Sequence, residues 1–239
     1  LIEGRLSNVL AQKGFTNYTD YLNFVFSDKS GKETVTLVNK LTTNHTYFLR
    51  EPQHFEFMQK VFLPYIEKTV KDHDVRIWCA ASSSGEEPYT IAMIIDDYFG
   101  SRKAGWDLRI LATDISTNVL QKAKNAVYPA ESIKNVPQRW REKYFIKNSD
   151  GTYTITDRIK REVIFKQFNL MDDIVYKKPF DLIFCRNVMI YFDAPTKDAL
   201  VERFYDASKK GAYLFIGLAE TISKSSRYTF VQPAIYQKK

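Results

Sequence analysis

The feature that most constrains this chain is a change of hydrophobic rhythm near Val75. Beyond it, short apolar runs at Arg76–Ala80, Arg109–Thr113, Phe180–Cys185 and Ala212–Ile216 alternate with amphipathic stretches that predict helices over Tyr89–Tyr98, Thr117–Asn125 and Pro195–Lys209. Apolar strands separated by helices predict a doubly wound α/β domain with a largely parallel sheet, because each parallel strand needs a crossover to reach its neighbour.

Upstream the period is helical. Leu6, Val9 and Leu10, then Tyr18, Tyr21, Leu22 and Val25, and finally Val35, Leu37, Val38 and Leu41 mark three short helices broken at Gly14 and Ser27–Gly31. Residues 1–66 therefore read as a helical N-terminal domain with a linker, and residues 67–239 as the α/β domain. The chain starts at Leu1, in what reads as the middle of a helix, so native sequence is expected to precede it; Ile2-Glu3-Gly4-Arg5 also matches a protease site used in recombinant expression and carries little weight. Between about residues 128 and 168 the alternation stops. Gly151–Ile155 and Glu162–Phe165 read as short antiparallel strands, with turn chemistry at Asn148-Ser-Asp-Gly151, which predicts a small β insertion.

Three strand ends carry candidate chemistry. Val75–Ala80 runs into Ala81-Ser-Ser-Ser-Gly85-Glu86-Glu87-Pro88 and a helix, so small residues let backbone approach a nucleotide-like ligand at the sheet's C-terminal edge. A single glycine fits neither a phosphate loop nor a dinucleotide fingerprint. Acidic residues there suit a cationic group such as a methionine amine, although Glu86 and Glu87 also simply complement a helix dipole. Asp114 ends the next strand, placed to take both hydroxyls of a ribose or to cap the following helix. Arg186-Asn187 ends Phe180–Cys185 on the same edge, where a surface charge and a turn residue are the plain alternatives.

No run approaches the roughly 20 apolar residues of a membrane-spanning helix, and no signal segment opens the chain, so the protein is expected to be cytoplasmic, without membrane insertion. Cys79 and Cys185 lie in apolar runs and read as free thiols; His45, His54 and His73 have no metal-ligand spacing, so no metal is expected. A net charge of +7 favours an anionic partner without saying which.

Leu41-Thr-Thr-Asn-His-Thr-Tyr-Phe-Leu-Arg50, Ile77-Trp-Cys-Ala-Ala-Ser-Ser-Ser-Gly-Glu-Glu-Pro-Tyr89, Ala112-Thr-Asp114 and Phe180-Asp-Leu-Ile-Phe-Cys-Arg-Asn-Val-Met-Ile-Tyr-Phe192 together resemble the glutamate O-methyltransferases of methyl-accepting chemotaxis receptors, in order and spacing, over nearly the whole chain. The resemblance implies a Rossmann-like S-adenosylmethionine-dependent domain with a β subdomain, behind a helical N-terminal domain. It implies that the methyl group of S-adenosylmethionine passes to glutamate carboxylates, leaving S-adenosylhomocysteine. Asn44, Thr46 and Arg50 are then expected to close over the cofactor, Glu86 to meet its methionyl amine and Asp114 its ribose. Ala80, Gly85, Asn169, Leu170, Arg186 and Asn187 complete the expected binding set, and Arg50 and Tyr191 stand nearest the transferred methyl. Without the resemblance, Tyr191 and Phe192 read as core aromatics.

Two departures matter. Gly217-Leu218-Ala219-Glu220 replaces the family's Gly-His-Ser-Glu, and the β insertion lacks the glycine-rich loop that grips a receptor's C-terminal pentapeptide, so no such tether is expected. The expected partner is the acidic helical cytoplasmic domain of a chemotaxis receptor, met by basic residues such as Arg5, Lys13, Lys40 and Lys60, with the enzyme a monomer and no nucleic acid bound. The competing readings are a methyltransferase of another substrate, RNA above all, and a non-catalytic regulator that binds the cofactor.

Overall fold

The structure is a computed structural model that describes residues 2–239; Leu1, and the reading of a helix already under way there, lie outside the described residues. Helices α1 (Ile2–Lys13), α2 (Tyr18–Ser27) and α3 (Lys32–Leu41) pack on one another through Leu6, Val9, Leu10, Tyr21, Val25 and Leu37, a cluster separate from the rest of the core. Asn17 caps α2 by accepting the Asp20 N–H at 2.9 Å, the interaction a helix start needs for its unpaired donors. Arg5 reaches from α1 to the Leu41 carbonyl and, at 2.8 Å, to the Thr43 hydroxyl, so the bundle holds the start of the linker.

After the linker, α4 (Pro52–Phe57) continues through a wider π turn at Met58–Phe62 into α5 (Leu63–Thr69). Pro64 lies just beyond that turn and has no N–H for a regular helical bond, which accounts for the local widening. The α/β domain follows with β1 (Ile77–Cys79), α6 (Glu86–Phe99), β2 (Ile110–Asp114), α7 (Thr117–Asn125), β3 (Val127–Tyr128), α8 (Gln138–Tyr144), β4 (Phe145–Lys147), β5 (Tyr153–Ile155), α9 (Asp157–Lys160), β6 (Val163–Gln167), β7 (Phe180–Cys185), α10 (Ala194–Asp206), β8 (Ser208–Ile216), β9 (Thr229–Gln232) and β10 (Ile235–Gln237).

The main sheet runs β6-β2-β1-β7-β8-β10-β9. Its first five strands are mutually parallel, and β10 is antiparallel to β8 and β9. Chain order reverses on either side of β1, and such a switch point opens a crevice at the C-terminal strand ends. Trp78 is fully buried beneath it and donates its Nε1–H to the Thr113 hydroxyl at 2.9 Å; that hydroxyl donates to the Ala80 carbonyl at 3.2 Å, so the ends of β1 and β2 are locked together. Both cysteines are free and buried. Among the described residues no helix is long and apolar enough to cross a membrane.

One expected strand has a different partner. Glu162–Phe165 reads from sequence as part of the β insertion, but Val163–Gln167 pairs parallel with β2, Ile110 opposite Val163, and forms the edge of the main sheet. The insertion's sheet is β3-β5-β4 alone. A five-residue run with one buried side chain, Val163, carries the pattern of an edge strand but no mark of which strand it joins.

Gly85 sets how closely α6 approaches α7. It opens α6 at φ 98°, and a Cβ there would lie 2.9 Å from the Ala123 Cβ and 3.2 Å from its Cα. Gly85→Ala should therefore cost about 1–3 kcal/mol of stability, read as a lower urea midpoint at unchanged m-value.

Candidate active site

A cavity of about 420 Å³ lies at the C-terminal ends of β1, β2 and β7, roofed by linker residues 42–47 and Arg50. The roof is anchored by Phe48, only 2% exposed, whose ring meets those of Tyr128 and Phe145 edge-on at 5.0 and 5.4 Å. The Ser83 hydroxyl donates to the Asn44 carbonyl at 2.9 Å and closes the roof onto the loop after β1. Four non-glycine residues in the enclosing segments hold left-handed backbone: Leu49 (φ 61°), Glu51 (55°), Ser83 (47°) and Asn187 (58°). Strain of this kind persists only where surrounding contacts over-determine the geometry, and it gathers at functional sites.

Those contacts centre on Arg186, whose side chain is 2% exposed. Its Nη1 donates to Glu87 at 2.6 Å, while Nη2 donates to Glu51 at 3.0 Å and to the Arg50 carbonyl. Burial would lower the guanidinium's pKa, but the two carboxylates more than offset it and raise it. For Glu87 burial prevails and raises the carboxyl, with Arg186 opposing; for Glu51 burial is outweighed by the hydrogen bond from Asn187 and the charge of Arg186, and the carboxyl is lowered. His54 packs behind this group, 1% exposed, with Nδ1 3.2 Å from the Glu51 carbonyl. Burial, and then the Arg186 charge, lower its pKa from 6.5 to about 4.

Asn44, Thr46, Arg50, Asp114, Asn169, Leu170, Arg186, Asn187 and Tyr191, scattered along the sequence, all line this one cavity. Asp114 is buried and its carboxyl is raised by that burial; Oδ2 accepts the Ser83 N–H and Oδ1 the Ser116 N–H, both at 2.9 Å, leaving further lone pairs for a diol. Arg50 Nη1 donates to the His45 carbonyl at 2.8 Å, and its guanidinium sits 5.8 Å from the Tyr47 ring centre. Tyr191 is 54% exposed at the mouth, so it is not a core aromatic.

Three expected residues stand outside the lining. Of the two acids that open α6, Glu87 lines the cavity, while the buried side chain of Glu86 accepts from the Ser84 hydroxyl at 2.7 Å. Adjacent helical residues point about 100° apart, so only one of the pair can face the crevice, and sequence alone does not say which. Ala80 is buried in the strand end, with Ala81 in its place at the cavity, and Gly85 contributes spacing to α7. Sequence reasoning also passed over Glu51 and Ser83; the left-handed backbone that marks both is invisible in their residue types.

Comparison with known proteins finds relatives over the whole length of the chain. The family model described as CheR methyltransferase, SAM binding domain, matches residues 44–236. The whole chain is 43% identical to a chemotaxis protein methyltransferase of Borreliella burgdorferi and covers 86% of that protein. It is 38% identical, over 90% of its length, to chemotaxis protein methyltransferase 2 of Vibrio cholerae, of which it covers 74%. Over 99% of its length it is 34% identical to the chemotaxis protein methyltransferase of Escherichia coli, of which it covers 82%.

The His54 environment predicts a pH dependence. The unfolded chain takes up a proton near 6.5 and the folded one only near 4, so the stabilisation is complete above 6.5 and is lost as pH falls toward 4, about 3 kcal/mol in all. The raised carboxyls of Glu86, Glu87 and Asp114 act in the opposite sense, gaining as pH falls. His54→Gln isolates the histidine: urea midpoints measured between pH 7 and 4.5 should fall less steeply in the variant than in the parent.

Proposed function

The chain belongs to the CheR family of chemotaxis protein methyltransferases, and from that premise we propose which of its residues carry the reaction. The protein is an S-adenosylmethionine-dependent methyltransferase that esterifies glutamate side chains of chemotaxis receptors. The observation that supports the residue assignment is that one cavity, at the β1 switch point, is lined by Glu87 and Asp114 together with Arg50 and Tyr191.

The donor set fits S-adenosylmethionine. Two carboxylates suit an amine and a ribose diol, and Phe168, Leu170 and Phe192 offer apolar surface for a purine. Glu87 holds the methionyl amine through the oxygen that Arg186 leaves free, Asp114 takes the ribose, and Asn169-Leu170 line the base. Asn44 and Thr46 cover the site from the linker. When bound, the cofactor supplies a methyl group activated by a positively charged sulfur.

The residues then have a limited task. A glutamate is already ionised at neutral pH, so no strong base is needed to activate it. Arg50 orients the incoming carboxylate through its two-pronged guanidinium, and Tyr191, at the mouth, bounds the path of entry. Excluding water and fixing the line of approach supply most of the rate.

The acceptor is the acidic helical cytoplasmic domain of a receptor, met by the enzyme as a monomer in the cytoplasm. Of the basic residues first considered for docking, Lys40 is exposed, Arg5 holds the linker, and Lys13 and Lys60 pair with Glu33 at 2.7 Å and Glu56 at 3.2 Å. The exposed Lys60 pair is weak and easily exchanged for a partner's carboxylate. The turn joining β4 to β5 is tight, Asn148 N–H to Thr152 O at 2.8 Å, and this supports modification without a pentapeptide tether.

Labelled S-adenosylmethionine incubated with receptor cytoplasmic fragments should yield label released as methanol by mild base; cofactor binding with no such label would remove the assignment. Arg50→Ala should lower kcat/KM by on the order of a hundredfold, and near-parent turnover would take Arg50 out of the mechanism. Deleting the receptor's last five residues should leave its methylation rate unchanged, whereas a large drop would restore a tether.

A further inference from the structure

The segment Gly217-Leu218-Ala219-Glu220 departs from its family's pattern in the middle, yet its two ends meet the active site. Glu220 is 6% exposed and does not line the cavity. Its Oε2 accepts the backbone N–H of Gly217 at 2.6 Å and of Asn187 at 2.9 Å, and its Oε1 accepts that of Ile190 at 3.2 Å. One carboxylate thus ties the end of β8 to the loop after β7. Glu51, from the linker, approaches the same loop: Oε1 accepts from the Asn187 side-chain amide at 3.1 Å, and Oε2 accepts from Arg186 at 3.0 Å and the Leu218 N–H at 3.2 Å.

We propose that Glu220 and Glu51 are positioning residues for methyl transfer, clamping Asn187 by its backbone N–H and its side-chain amide so that the 187–191 loop presents Asn187 and Tyr191 to the cavity. The proposal rests on the methyltransferase reading above. Neither glutamate lines the cavity, so each acts through the residues it holds, of which Asn187 is common to both.

Three further observations support a built device. Asn187 holds φ 58°, a conformation its own sequence does not enforce, so it needs outside partners to stay there. Gly217 leaves the room required: a Cβ at that position would lie 2.5 Å from Asn187 Nδ2 and 2.9 Å from Glu220 Oε2. A carboxylate has lone pairs for three N–H donors at once and binds them more strongly than a neutral acceptor. An amide of the same shape offers one acceptor oxygen and turns its nitrogen toward an N–H.

The test uses Glu220→Gln, Glu51→Gln and the double variant in the full chain. Turnover of a receptor fragment, S-adenosylhomocysteine affinity, thermal midpoint and the Asn187 side-chain amide resonance are measured together. Each single variant should lower kcat about tenfold or more while product affinity stays within about threefold, because misalignment is felt in the transition state first. Each should also shift the Asn187 resonance. The double variant should be little worse than the poorer single, since opening either jaw releases the same residue. Parent-like kcat in either single, losses that multiply in the double, or a kcat loss matched by lost folded protein would overturn the clamp. If Glu220→Gln does not fold, Glu51→Gln decides by the same kcat and resonance criteria. If the parent itself methylates no fragment, the functional reading fails, and the clamp is then judged by the Asn187 resonance, whose standing still in both variants refutes it.

Discussion

The guanidinium of Arg186 sits where three separately encoded segments converge: the end of β7, the start of α6 through Glu87, and the linker through Glu51 and the Arg50 carbonyl. A cation this deeply buried is tolerable only with its partners in place, and removing one partner of such a group typically costs about 3–5 kcal/mol because a bare charge remains. The group therefore works less as a source of stability than as a condition of assembly. The linker cannot lie over the strand ends in another register without stranding Arg186, and Arg50 follows immediately from where Glu51 must go. The left-handed backbone at Leu49 and Glu51 is the local cost of meeting that condition.

The linker is held at several further points of different kinds. Arg5 fastens its start to the helical unit, Phe48 sinks among aromatic rings beside the β subdomain, and Ser83 takes the Asn44 carbonyl. Asn39 adds a polar contact between α3 and the start of α7, accepting from the Ser116 hydroxyl at 2.7 Å. A roof made only of polar contacts would open readily in water, and one made only of apolar contacts would slide. Apolar burial supplies adhesion and the directional bonds supply register. The cavity beneath is thereby enclosed by three parts of the chain that share no regular hydrogen-bonded element.

What was legible in the sequence follows from this division. The strand–helix alternation, the three N-terminal helices and the convergence of Asp114 and Arg186 on one sheet edge are consequences of period and order, and both can be read from residue types. The partner of β6 could not, because an edge strand is specified by what it packs against. Which of Glu86 and Glu87 lines the cavity turned on a single helical step, and the contacts of Glu51 and Glu220 with Asn187 on hydrogen bonds across 136 and 33 positions. Tyr191 illustrates the opposite case: its apolar surroundings in sequence suggest a core residue, while the loop that carries it leaves it exposed at the mouth.

Methyl transfer to a carboxylate brings together an anion and a cationic sulfur and ends with both neutral, so water, which stabilises the separated charges, opposes it. A site for this reaction must supply charges of its own that favour the reactants' approach and yet do not move. Here the buried acids are fixed by backbone N–H donors or by Arg186, and burial raises Asp114 and Glu87 against those bonds. In the scheme proposed above, the methionyl amine would add a positive charge beside Glu87 and the ribose hydroxyls would add donors to Asp114, each favouring the ionised carboxylate that burial disfavours. Arg50, the cation proposed above for the incoming glutamate, has its backbone carbonyl bonded to Arg186. On that proposal, the binding of both reactants and the placement of the linker depend on the same buried charge, Arg186.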